Sequence, residues 1–257
     1  PVGDFNSWQG FLILVLAGAL ASAINSVAGG GSLISFPALT FGFDISSKIA
    51  NATNAVGLWP GSLAGAMGFR NLLPKTGHYL GKLALPTLAG SVIGALLLIN
   101  TRERVFDLVV PTLILGASLL LLFQQRVKTW ALRHKKELAR STGIVLQFLV
   151  SVYGGYFGAG MGIMMLAAFV LYMDGTIHEL NAVKTWLGLI INVVASVVFL
   201  QQGMLLWVPA TALAMGSIIG GFAAAVYSQK VDSDRLRVWI AFYGIAMAAV
   251  FAWRALT

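Results

Sequence analysis

The chain is 257 residues long, and 58% of its residues are hydrophobic while only 10% are charged. A soluble domain carries about 25% charged residues, so the composition excludes a water-soluble protein. The net charge of +8 would suit nucleic acid, but so apolar a chain offers no soluble face on which a duplex could lie. We therefore expect no nucleic-acid partner and relate the positive charge to orientation in a membrane.

Long stretches without Asp, Glu, Lys or Arg indicate the membrane helices. They are residues 5–43, 49–69, 83–101, 108–125, 141–173, 185–229 and 238–253. A crossing helix needs about 20 apolar residues, so 185–229 predicts two helices with a turn at 201–204. The first stretch lacks a clear cleavage site and is expected to remain as an anchor. The sequence predicts an all-α polytopic membrane protein with about eight transmembrane helices.

A basic linker at 125–140 predicts the orientation of these helices. It contains several Lys and Arg residues against the single acidic residue Glu137. Loops rich in Lys and Arg stay on the cytoplasmic side of a membrane. We therefore expect the linker in the cytoplasm and the chain in the inner membrane of a bacterium.

The two parts of the chain on either side of the linker, 1–124 and 141–257, resemble each other. A shift of 130 residues superimposes identical residues without a gap, among them Gly30 on Gly160, Asn51 on Asn181 and Gly90 on Gly220. We therefore predict two tandem structural repeats, a frequent feature of transporters. If each half crosses the membrane four times, the halves are parallel. An extra crossing by the first segment of each half would make them inverted.

Glycine breaks interrupt the first apolar stretch of each half. The break is Gly29-Gly30-Gly31-Ser32 in the first half, and glycine recurs at 154, 155, 158, 160 and 162 in the second. The apolar residues after each break are too few to span a membrane, which predicts a half-helix or re-entrant segment. Backbone released inside a bilayer needs cover from protein or a water-filled cavity, and a helix start attracts anions. The alternative is that these glycines only allow close helix packing.

The residues around the first break resemble a known family. Residues 26–39, continued by Asn51-Ala52-Thr53-Asn54, are similar to the signature of the TauE/SafE sulfite-exporter family of membrane permeases, and the second half looks like a degenerate copy. The resemblance implies two related halves and transport of sulfur-containing or organic anions such as sulfite, thiosulfate or sulfoacetate. The second half departs from the first at Met161, opposite Gly31, and at Lys184, opposite Asn54.

Polar residues inside the apolar stretches are candidate substrate ligands. Lys184 has no well-aligned acidic partner at helical spacing, so an anion would supply the missing charge; the alternative is that it snorkels to the headgroups. Asn51, Asn54 and Asn181 can bind oxyanions or join helices to one another. The candidate site is Gly29, Gly30, Gly31, Ser32, Asn51, Asn54, Gly160, Gly162, Asn181 and Lys184. Weaker candidates are Asn25, Ser26, Asn192 and Ser196.

The chemistry that is missing also narrows the function. No Asp or Glu lies centrally in an apolar stretch, which disfavours cation transport and a carboxylate proton relay. The three histidines have no metal-ligand spacing, so we expect no metal. No Ser/His or paired Asp arrangement is present either, so we expect no other cofactor and no enzyme chemistry. The leading interpretation is a secondary transporter that lies among membrane lipids. It would bind a small anion between its halves and carry it across the membrane by alternating access. An anion channel, an intramembrane enzyme and a non-transporting scaffold are the alternatives.

Overall fold

The computed structural model describes residues 4–27, 30–68, 70–74, 76–134, 139–227 and 233–256, and the regular elements in these ranges are all helical. The helices are α1 Trp8–Val27, α2 Ser32–Pro37, α3 Ser47–Gly68, α4 Gly77–Asn100, α5 Glu103–Leu122, α6 Gln124–Arg133, α7 Arg140–Tyr156, α8 Met161–Tyr172, α9 Ile177–Gln201, α10 Trp207–Tyr227 and α11 Ser233–Leu256. A π-helical turn at Ala38–Gly42 continues α2. The turn predicted at 201–204 is confirmed, because it separates α9 from α10.

Six helices of the described chain are long and apolar enough to cross a membrane: α1, α4, α5, α9, α10 and α11. By length and composition alone, the number of transmembrane helices is therefore lower than the expected number of about eight. α7 is too short, because its 17 residues extend only about 25 Å. α3 has 22 residues, but Asn51, Thr53 and Asn54 lower its hydropathy, and all three are buried inside the protein.

Each half begins with a helical hairpin. Gly31, next to the start of α2, lies against the last turns of α1 rather than beyond its end, so α2 runs back along α1. In the second half Gly154 lies against Met161, and Gly143 lies against the ring of Tyr172. α8 therefore runs back along α7 over its whole length. α2 with its π-helical turn and α8 are the short segments predicted after the glycine breaks.

Small residues bring α1 and α10, which belong to different halves, into backbone contact. Gly216 of α10 packs against Val15 of α1, and Gly220, one turn later, packs against Ala19. The two helices are therefore parallel. A β-carbon at either glycine would overlap with a carbonyl oxygen of α1, so the interpretation as close packing is correct for these glycines.

α4 and α7 form a second interface of the same kind. Gly90 of α4 contacts Phe148 of α7, and Gly94, one turn later, contacts Val152, so these helices are also parallel. Each hairpin is thus covered by a helix of the other half, α1 by α10 and α7 by α4.

α3 lies between α9 and α10, and α5 packs against α11. Gly57 of α3 contacts Leu213 of α10, and Gly61 contacts Ser217, so α3 and α10 are parallel. The first part of the basic linker forms α6, which packs on α8 with Ala131 fully buried. Linker residues 135–138 lie outside the described ranges.

Two cationic contacts join the helix ends that lie opposite the linker. The ammonium of Lys48, near the start of α3, donates to the carbonyls of Ile99 and Thr101 at 2.9 and 2.6 Å. A cation at this position stabilises the C-terminal end of α4. Arg254 in the last turn of α11 pairs with Asp44 at 2.8 Å, but both side chains are largely exposed, so this pair adds little to stability.

We expect Gly220→Leu to disrupt the contact between α1 and α10, because the new side chain would occupy the space of the Ala19 carbonyl. Overpacking costs about 1–3 kcal/mol, so the folded yield and the melting temperature in detergent should both fall. Gly116→Leu in α5 is the matched control, since a β-carbon there has no atom within 4 Å. Equal melting temperatures for the two variants would contradict the packing of Gly220.

Candidate functional site

The two halves enclose a cavity of about 80 Å³. α1, α2 and α3 contribute walls from the first half, and α7, α8 and α9 contribute walls from the second. One water molecule needs roughly 10–15 Å³ of such volume, so the cavity is large enough for a small ion with a few water molecules. No Asp or Glu belongs to the walls that the structure describes.

Both glycine breaks border this cavity. Gly30 and Gly160 line it with φ angles of +84° and +76°, a left-handed conformation that side-chain-bearing residues rarely adopt. They contact successive turns of α5, at Leu121 and Ala117 respectively. Ser32, the first residue of α2, and Gly162, the second residue of α8, also line the cavity.

Side chains satisfy backbone carbonyls at the second break. The hydroxyl of Tyr153 donates to the carbonyl of Ala159 at 2.5 Å. Asn51, from the first half, donates from Nδ2 to the carbonyl of Tyr156 at 2.9 Å. Asn51 lines the cavity as predicted, but this bond commits part of its amide to holding the two halves together.

Lys184 brings a positive charge to the cavity. Its side chain passes over Gly162, where a β-carbon would lie 3.8 Å from the lysine Nζ. Within the part of the chain that the structure describes, the ammonium has no hydrogen-bond or ion-pair partner. The nearby charge of Arg237 in α11 repels it. The cavity is therefore a place where an anion would be attracted.

Asn54 contributes an uncommitted amide to the same cavity. It is only 3% exposed, and its Oδ1 is buried without a hydrogen-bond partner in the described chain. Lining hydroxyls behave differently, because those of Ser26, Ser62 and Thr185 donate to carbonyls of their own helices. The Lys184 ammonium and the Nδ2 groups of the lining residues Asn25, Asn54 and Asn192 are thus the donors best placed to serve a ligand, because these amides have no acceptor in the described chain. Asn54 Oδ1 is a free acceptor.

Two predicted site residues of the described chain lie outside the cavity walls. Gly31 packs against the backbone of Ala21, so its lack of a side chain serves close packing. Asn181 lies a turn before the lining residues of α9, where its carbonyl accepts a hydrogen bond from Thr185. Gly29 falls outside the described residues.

Sequence reasoning missed the lining hydroxyls of Ser22, Ser62 and Thr185. Spacing would have indicated Ser62, because positions 54, 58, 62 and 65 of α3 line the cavity at steps of three or four residues. Such steps keep residues on one face of a helix. The weaker candidates Asn25, Ser26 and Asn192 lie in the wall, whereas Ser196 is buried outside it.

Known proteins similar to this chain are membrane transporters. A probable membrane transporter protein of Haemophilus influenzae is 26% identical over 237 residues, which is 92% of each chain. One of Escherichia coli (strain K12) is 26% identical over 239 residues, covering 92% of this chain and 87% of its own. One of Bacillus subtilis is 24% identical over 251 residues, covering 88% and 91%. No solved structure matches the chain.

The sequence model of the family described as sulfite exporter TauE/SafE matches residues 14–251, a range that includes every residue lining the cavity. This match confirms the family predicted from the residues around the first break. The similar proteins are named as probable membrane transporters, and none of the three is named as an enzyme. Transport is therefore the activity that these comparisons support for the chain. The chain is a membrane transporter, and it belongs to the sulfite exporter TauE/SafE family.

Proposed function

We propose that the chain carries small sulfur-containing or organic anions, such as sulfite, thiosulfate or sulfoacetate, through the cavity between its halves. The observation that carries this proposal is the ammonium of Lys184, which reaches the cavity without a partner in the described chain. An unpaired cation among membrane helices is unfavourable, and a bound anion relieves it. The description of the family supports a sulfur anion as the cargo.

The groups around Lys184 suit an anion as well. The first N–H groups of a helix have no partner within that helix, and the helix start carries the positive end of its dipole. Gly162 lies in the first turn of α8, directly below the lysine side chain. The amide of Asn54 adds a neutral hydrogen-bond donor across the cavity.

We further infer that the halves are copies of one unit. The lining positions of α3 and α9 correspond at a separation of 130 residues: 54 with 184, 58 with 188, 62 with 192 and 65 with 195. Gly30 and Gly160 form another such pair, and both have positive φ. The interface of α1 with α10 likewise corresponds to that of α7 with α4.

The helix directions favour inverted over parallel copies. α1 and α3 both run parallel to α10. α4 runs opposite to α3, because Lys48 near the start of α3 bonds the end of α4, and α4 is parallel to α7. The corresponding helices α1 and α7 therefore run in opposite directions. Copies related by an axis in the membrane plane have this arrangement in many secondary transporters.

Inverted halves support alternating access, because exchanging the conformations of the two halves would open the same cavity to the other side. A counterflow experiment separates this mechanism from an anion channel. Unlabelled substrate on the far side should accelerate uptake of labelled substrate through a carrier. It should give no such acceleration through a channel.

We also propose that α3 and α7 are membrane helices, which gives eight in total. The short segments α2 and α8 run back along α1 and α7 and so supply the extra pass of each half that makes the halves inverted. α3 packs between α9 and α10, and α7 packs along α4. Neighbouring helices can therefore cover the polar residues of α3 and the backbone beyond the short α7, which lipid would leave without partners. The similar proteins are bacterial, which supports the inner membrane of a bacterium. The basic linker favours the cytoplasmic side, and lipids would cover the exposed apolar side chains.

Proteoliposomes that contain the chain should take up at least one of labelled sulfite, thiosulfate and sulfoacetate faster than protein-free vesicles. The physical reason is the unpaired cation that the cavity offers to each anion. Uptake of labelled rubidium serves as the control for leaks. Lack of uptake for every small anion tested would refute the transport proposal.

Lys184→Gln should weaken anion binding roughly ten- to a hundredfold, because a hydrogen bond to a charged group contributes about 1.5–3 kcal/mol. Binding can be measured by calorimetry in detergent alongside the folded yield. Lys82→Gln is the matched control, since Lys82 is exposed on α4 and outside the cavity. Equal losses of binding and yield in Lys184→Gln would favour the snorkelling alternative.

Gly30→Ala should lower the transport rate more than it lowers stability, because the φ of +84° has to change where the break borders the cavity. A left-handed L-residue costs roughly 1–2 kcal/mol. Gly203→Ala carries the same strain at a φ of +67° in a turn with open space around it. Uptake assays and melting curves on both variants test this. Similar transport rates in the two would argue against a functional break.

A further inference from the structure

We propose, building on the transport proposed above, that three phenylalanine rings form a gate at one end of the cavity. The rings belong to Phe157, Phe36 and Phe251, and all three residues are buried. They lie between the cavity and a second pocket of about 350 Å³ at the helix ends opposite the linker. We call this pocket the vestibule and that side of the protein the far face. Movement of the rings would connect the cavity with the far face.

The vestibule is a place that water fills. It lies between the starts of α3 and α5 and the end of α11. Its charged lining residues are Glu103, Arg104, Asp107 and Arg254, and all but Asp107 are exposed. Charged groups are strongly unfavourable away from water unless they are paired, so the vestibule is open to the aqueous phase. A hydrated anion can therefore reach the far-face side of the three rings.

One face of α3 continues from the vestibule into the cavity. Ser47 lines the vestibule, and Asn51, four residues later, lines the cavity. Asn54, Leu58 and Ser62 follow in the cavity wall at steps of three or four residues. Such steps keep residues on one face of a helix. The two spaces therefore follow each other along α3.

The three rings form a continuous stack from one space to the other. Phe157 lines the cavity, and Phe251 lines the vestibule. Phe36 packs against both, with its ring centroid 5.5 Å from that of Phe157 and 5.3 Å from that of Phe251. A hydrophobic constriction stops a hydrated ion because water does not fill it. The rings therefore close the cavity toward the far face.

The opposite end of the cavity is more accessible. Its lining residue Asn25, near the end of α1, is exposed, and Lys184 is half-buried. Asn51 and Asn54 are only 4% and 3% exposed. These two residues lie near the start of α3, which is at the far face. Burial of the wall thus increases toward the gate.

The gate is attached to backbone that can change conformation. Phe157 follows the last residue of α7 and precedes Gly158, whose φ is +79°, and glycine changes its backbone angles at little cost. Asn51 of the first half donates a hydrogen bond to the carbonyl of Tyr156, directly before Phe157. A relative movement of the halves, as alternating access requires, would break this bond and release the ring of Phe157.

Cysteine labelling tests the gate directly, because the chain has no cysteine of its own. Ala55→Cys places a single thiol in the cavity, and Ser47→Cys places one in the vestibule. The probe is sulfonatoethyl methanethiosulfonate, an anionic thiol reagent that does not cross membranes. Fast labelling of Ser47→Cys identifies the membrane vesicles, right-side-out or inverted, that present the far face. Ala55→Cys should react slowly in these vesicles and faster in those of the other orientation.

Phe36→Ala should raise the labelling rate of Ala55→Cys from the far face about tenfold or more, because the gate loses its middle ring. Phe169→Ala is the matched control, since Phe169 is fully buried but lines neither space. Equal rates in the two folded variants would overturn the gate. Phe251→Leu is a milder change that keeps an apolar side chain, for use if Phe36→Ala does not fold. An unchanged labelling rate in Phe251→Leu would then overturn the gate.

Transport and the gate fail in distinguishable ways. Labelling does not require transport, so equal labelling rates would refute the gate while wild-type uptake still stands. Absence of uptake for every labelled anion would refute transport itself. Folded Phe36→Ala should also lose the acceleration by unlabelled substrate, because its cavity would be open to both faces at once. Full acceleration in that variant would contradict the gate.

Discussion

A break between two helices leaves backbone groups that need hydrogen-bond partners and that lipid cannot bind, and each hairpin of this chain contains such a break. Tyr153 and Asn51 supply hydrogen bonds to two carbonyls at the second break. Because Asn51 comes from the first half, this cover exists only when the halves pack together. The cavity lies where both breaks meet, so the requirement that organises the fold also creates the space for an ion.

Glycine serves two physical purposes in this fold, and its surroundings decide which. At Gly30 and Gly160 the backbone is left-handed and borders the cavity. At Gly216 and Gly220 the backbone is helical, and the missing side chain lets α10 touch α1. The breaks shape the site, whereas the close contacts keep the hairpin against its neighbour.

Features with a local cause could be predicted from the sequence, and those that depend on neighbouring helices could not. The breaks and Lys184 stand out because glycine runs and charges are rare in apolar stretches. Gly31 and Asn181 failed as predicted wall residues, because only the packed helices determine that each faces a neighbour instead of the cavity. Length and composition alone likewise do not identify α3 as a membrane helix. α3 carries the polar residues of the site, so it is the least lipid-like of the long helices.

The covering of α1 by α10 has a consequence for how the protein is made. α10 begins at Trp207, long after the first hairpin has left the ribosome. At a synthesis rate of about 5–20 residues per second, roughly 10–40 s separate the two segments. During that interval the glycine face of α10 that fits against α1 does not yet exist, so α1 lacks the neighbour that covers it in the finished protein. Its docking against α10 is therefore a late step of folding.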